Sequence, residues 1–136
     1  MMEHNAYNPF ANLELSEDAV RLANAVYNTY VQEDYPYLEI TVKRLCEIFG
    51  FTGYTHRPEE LDYIRGLFEE LNEPIAVVDF KYGSRVYDWK ALQFCSFEKP
   101  WRNEDTTIEI VINEMYVAAV REFMEKPFIN VPPKES

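Results

Sequence analysis

The spacing of apolar residues changes at Pro74, and that change divides the chain into a helical part and a strand-rich part. Before it, Leu15, Ala19, Leu22, Ala23, Val26 and Tyr30 recur at intervals of three and four, the period of a helix with one buried face. Ser16 stands where an N-cap is needed, and Glu17 and Asp18 suit the positive end of the helix dipole. The helix should fail at Glu33-Asp34-Tyr35-Pro36, with a short extended piece over residues 37–40. Thr41 is placed to cap a second helix over residues 42–49, and Gly50 to end it. Pro58 suits the first turn of a third helix, which runs to about Asn72 on a stripe of Leu61, Ile64, Leu67, Phe68 and Leu71.

Beyond Pro74 the β-rich run of residues 75–80, a turn at Lys81-Tyr82-Gly83-Ser84 and a return strand over 85–89 read as a hairpin. Further extended segments are expected over 92–97 and 106–112. Asn113 is a cap for a closing helix over 114–124. The expected organisation is an N-terminal arm over 1–14, one domain over 15–128 and a flexible tail over 129–136. With 136 residues, 47% of them hydrophobic and 15% aromatic, the chain has enough apolar material for a single core.

Helix, short strand, helix, helix and then strands is the order of a winged helix-turn-helix. The expected fold is α+β, with a small antiparallel sheet and a closing C-terminal helix. Within it, Thr41-Val42-Lys43-Arg44-Leu45-Cys46-Glu47-Ile48-Phe49-Gly50 resembles the first helix of the helix-turn-helix in plasmid replication initiator proteins. Tyr63-Ile64-Arg65-Gly66-Leu67-Phe68-Glu69-Glu70-Leu71-Asn72 is similar to the second, where that family places its DNA-reading residues. The strands over 89–97 and 106–112 would then form the wing. The resemblance spans residues 40–124 and implies a DNA-binding initiator or transcription regulator.

The charges point elsewhere. The formal net charge is −11, and neutralising phosphates requires clustered Lys and Arg. At about 100° per residue, the third helix turns Glu59, Asp62, Gly66, Glu69, Glu70 and Glu73 outward, opposite its apolar stripe. Each carboxylate beside a phosphate is repelled by about 1 kcal/mol even in bulk water. These residues therefore make an acidic interaction face that imitates the charge of DNA or docks on a basic groove. The leading expectation is a non-enzymatic module acting on nucleic-acid-handling machinery through a basic protein partner, as a phage or plasmid inhibitor does. DNA binding through Lys43, Arg44, Arg57, Lys81, Arg85 and Lys90 is the alternative.

Little in the chain suggests catalysis. His4 and His56 have no companions at metal-ligand spacing, and no glycine-rich phosphate loop or nucleophile elbow is present. No cofactor and no metal site are expected. Cys46 and Cys95 form no CxxC pair and read as reduced structural thiols. Asp79 and Asp88 flank the hairpin and read as strand-edge charges that face each other. Most aromatics among Tyr82, Tyr87, Trp89, Phe94 and Phe97 should be core, leaving Trp101 beside Arg102 as the candidate contact anchors. The start of the chain lacks a basic region followed by an apolar run, and no stretch approaches membrane-spanning length. The expected location is the cytoplasm, with no membrane contact.

Overall fold

The computed structural model describes residue 10 and residues 13–50, 58–100 and 107–123. Helix α1 (Glu17–Glu33) begins where Ser16 Oγ accepts the amide of Ala19 at 3.2 Å. Its buried face is Ala19, Leu22, Ala23, Val26 and Tyr30. It ends at Asp34, which takes a left-handed conformation (φ 55°) and returns its N–H to the Tyr30 carbonyl. Strand β1 (Tyr37–Thr41) leads directly into α2 (Val42–Phe49), with Thr41 Oγ1 capping the Arg44 amide at 3.0 Å. Gly50 closes α2 at φ 82°, where a side chain would add strain.

Helix α3 (Pro58–Leu71) packs on α1 and α2 through Ile64, Leu67, Phe68 and Leu71. Strands β2 (Ile75–Tyr82), β3 (Arg85–Leu92), β4 (Cys95–Glu98) and β5 (Thr107–Ile112) follow, and then α4 (Glu114–Phe123). Asn113 Oδ1 accepts the Met115 amide at 3.0 Å and starts that last helix. The molecule is thus α+β, with four helices and small antiparallel sheets among the described residues.

The strands do not make one sheet. Strand β1 pairs with β5 and β5 with β4, in the order β1-β5-β4, while β2 and β3 pair only with each other. Alternation along β5 puts Ile108, Ile110 and Ile112 against the helices and Glu109 and Val111 on the open face. Tyr116 of α4 lies edge-on to both Phe94 and Phe10. Phe10 is 5% exposed, so the packed body reaches into the segment read from sequence as an arm.

One polar clamp joins the two halves. Asn72, just past α3, accepts the Cys95 amide at 2.8 Å and donates to the Phe68 carbonyl at 3.1 Å. Its own carbonyl accepts Gln93 Nε2 at 2.9 Å. The end of α3 therefore fixes the start of β4, and with it the strand beside which α3 lies.

Candidate functional site

Four of the five carboxylates expected on the acidic face are exposed: Glu59, Asp62 and Glu69 on α3, opposite the buried stripe, and Glu73 just past its end. Arg65, the basic residue of α3, lies 3.5 Å from Asp62 and 3.9 Å from Glu69, so its charge is shared between neighbours. Glu70 departs from the expectation. It turns back to α1, accepting Ser16 N at 2.6 Å and Ser16 Oγ at 3.0 Å. Packing of α3 on α1 brings Glu70 to Ser16, which opens α1 where free amides and the helix dipole attract a carboxylate. Tyr63 makes a second link on this flank by donating to Asp18. Glu60 is also turned in, at 7% exposure.

Sequence reasoning missed a second acidic feature. Register places Glu39 opposite Glu109 and Glu109 opposite Glu98, a row of three glutamates across the open face of the β1-β5-β4 sheet. Desolvation between the flanking strands raises the Glu109 carboxyl above its ordinary value, and the charges of Glu98 and Glu39 add to this. Tyr37 donates to Glu39 at 2.8 Å beside the row. Glu39 and Glu109 alternate with buried residues in their own strands, and Glu98 follows half-buried Phe97. Their convergence needed the strand order, which has no local signature.

Between α3 and β4 runs a groove of about 330 Å³. Its floor is apolar, with Leu61, Phe68 and Phe97 prominent, and its rim carries Asp62, Arg65, Glu98 and Lys99. Phe68 stacks on Phe97 at 4.8 Å between ring centres, which fixes the base of the groove.

The β2–β3 hairpin presents a different surface. Ile75 and Val77 face inward, but so does Phe80, so the inward positions change parity at Asp79. Asp79 takes a left-handed conformation (φ 54°), and the paired residues on either side, Val78↔Trp89 and Phe80↔Tyr87, set it level with Asp88. Regular alternation would place Tyr87 and Trp89 on one face. The break separates them: Tyr87 is half-buried, while Trp89 is 73% exposed opposite exposed Val78. The sequence reading that put most of Tyr82, Tyr87, Trp89, Phe94 and Phe97 in the core therefore fails: Trp89 and Tyr82 are exposed, Tyr87 and Phe97 are half-buried, and Phe94 is fully buried.

Of the basic residues weighed for DNA contact, three lie on the hairpin and two on α2. Arg85 and Lys90 lie over the Tyr87 ring at 5.3 and 5.4 Å, whereas Lys81 pairs across the strands with Val86. Lys43 and Arg44 lie on α2, which packs on α1, β1 and α3 rather than on the hairpin, and Arg44 is 3.8 Å from Glu47. Arg57, Trp101, Arg102, His4 and His56 lie outside the described residues.

Both cysteines are buried and free. Burial pushes the Cys95 thiol up to about 12, against a smaller opposing effect of Asn72. Burial and the nearby Glu60 raise Cys46 as well. Neither is a ready nucleophile at neutral pH. Among the described residues, no group of three His, Cys, Asp or Glu side chains is placed to hold a metal ion. Among the same residues, no helix is long and apolar enough to cross a membrane. No protein-family model matches the chain, and no curated protein matches it in sequence.

Proposed function

We propose that the chain is a non-enzymatic acidic binding module of the cytoplasm, built as a winged helix and acting through a basic protein partner. Two features of the fold support the winged-helix reading. The strand between α1 and α2 pairs with β5, the second strand of the β4–β5 pair that follows α3, and the order β1-β5-β4 suits a wing. The β2–β3 hairpin is then an insertion between α3 and that wing.

The observation that carries the functional reading is the outward face of α3. In a winged helix this face meets phosphates, yet here Glu59, Asp62 and Glu69 occupy it, Glu73 follows just past its end, and Arg65 is held by two of them. Such a face repels DNA and attracts what binds DNA. The partner proposed is a basic component of nucleic-acid-handling machinery, met by a surface that imitates the charge of the nucleic acid. An inhibitor encoded by a phage or plasmid belongs to this class.

Fluorescence anisotropy tests the reading at about 50 and 200 mM salt. The protein should leave labelled duplex DNA unbound at both salt concentrations. It should bind a lysine-rich peptide in a salt-sensitive manner, and lysine substitutions at Glu59, Asp62, Glu69 and Glu73 should abolish that binding. Saturable DNA binding that is lost on changing Lys81, Arg85 and Lys90 would overturn the proposal in favour of a DNA-contacting initiator or regulator.

A further inference from the structure

We infer that the unpaired edge of β1 takes up an extended segment of a partner chain as an added strand, with the main chain of Tyr37 and Glu39 supplying the hydrogen bonds. The surface is a different one from the acidic face of α3, and strand addition there stands whether or not α3 meets a basic partner.

Strand β1 lies at one end of the β1-β5-β4 sheet, with β5 on one side of it. Ile112 donates its N–H to the Pro36 carbonyl at 2.9 Å, and alternation along an antiparallel pair then commits the main chain of Leu38 and Ile40 to β5. The main-chain groups of Tyr37 and Glu39 point the other way, and among the described residues none bonds them there. Edge strands are commonly blunted by a proline, a lysine or a bulge. Over Tyr37–Thr41 the register is regular and none of these three devices is present. Beside this edge opens a cleft of about 500 Å³, lined by Glu39, Ile40 and Thr41, by Asn28 and Gln32 of α1 and by Arg44 of α2. Asn28 and Gln32 stand one turn apart, and their amides, which both donate and accept, hold no hydrogen bond among the described residues. One carboxylate and one guanidinium in the lining, Glu39 and Arg44, favour neither sign of charge, so recognition falls to the main chain. Glu39 adds a restriction. Like charges directly opposite one another in a sheet are destabilising, so the residue facing Glu39 is not acidic. The same rule disfavours a second copy as occupant, because full overlap of two β1 strands sets Glu39 against its own counterpart and joins two glutamate rows.

A short fluorescein-labelled peptide of alternating threonine and valine tests this by titration against the full chain and two variants. Glu39→Pro removes an N–H that points away from β5, a position where a strand tolerates proline, and its folding is checked by circular dichroism. Glu39→Gln keeps that N–H. The peptide should bind the unmodified protein and Glu39→Gln alike, and Glu39→Pro about tenfold or more weakly. Bound peptide should also slow hydrogen exchange at the amides of Tyr37 and Glu39, read by NMR on the unmodified protein. That second measurement needs no variant and decides the question by itself if Glu39→Pro does not fold. Equal binding to folded Glu39→Pro, or exchange at those two amides unchanged by bound peptide, would overturn strand addition. No binding at about 1 mM protein would overturn it as well. Sedimentation of the protein alone as a dimer that Glu39→Pro dissolves would give the edge to a second copy instead. The lysine-peptide result at α3 is independent of all these outcomes.

Discussion

Helix α3 and the β2–β3 hairpin both turn a face to solvent, and they arrive there by different routes. On α3 the helical period does the sorting: the stripe of Ile64, Leu67, Phe68 and Leu71 is buried, and carboxylates fall on the far side. On the hairpin, one left-handed residue, Asp79, changes which positions face inward and leaves Trp89 outside. The first surface is a property of a whole element and tolerates small changes. The second depends on a single backbone conformation. A charged face can thus be read from spacing, while an apolar one of this kind depends on local geometry that spacing does not encode.

The comparison breaks most visibly if the anchor of α3 is removed. Phe68→Ala deletes a fully buried ring stacked on Phe97 and should cost about 3–5 kcal/mol by urea unfolding. Asn72→Ala leaves the buried Cys95 amide without its acceptor and should cost about 1–3 kcal/mol. Glu70→Ala removes the acceptor of Ser16 N and should cost about 1 kcal/mol. The same change at exposed Glu69 should stay within about 0.5 kcal/mol, which separates the inward glutamate from the outward one.

Two smaller effects sharpen the contrast. The raised Glu109 carboxyl holds its proton more tightly in the folded state than in the unfolded chain. Native protein therefore binds more protons above the ordinary value of 4.5, and this contribution to stability falls as pH rises toward neutrality. Glu109→Gln should flatten that part of the pH profile of thermal unfolding and raise the midpoint at pH 7. A profile unchanged by the substitution would show that the glutamate row carries no strain. Trp89→Ser, by contrast, should leave stability within about 0.5 kcal/mol, because the indole is largely in water already.

The helices were legible because their signals are local. Ser16, Thr41 and Asn113 cap, and Gly50 terminates, within a few residues of the stripes they bound. The outward carboxylates Glu59, Asp62 and Glu69 of α3 followed from the same periodicity. The pairing of β1 was not legible, since it meets β5 only after the chain has passed through two helices, a hairpin and β4. That is why the split into two sheets and the Glu39–Glu109–Glu98 row went unforeseen. Glu70 was misplaced for a related reason: its partner Ser16 lies 54 residues away, at a helix start brought near only by tertiary packing. The hairpin itself was expected, but the break at Asp79 that exposes Trp89 has no signature beyond the residue's tolerance of left-handed backbone.

The glutamate row has a consequence for how these molecules meet one another. The open face of the β1-β5-β4 sheet also carries Tyr37 and Val111, both exposed, and such a face would otherwise be able to stack against its counterpart on another molecule. At neutral pH, three carboxylates across that face set like charge against like charge in any such stack. Repulsion among these charges opposes such a stack, so light scattering from concentrated protein should rise as the pH falls into the carboxylate range.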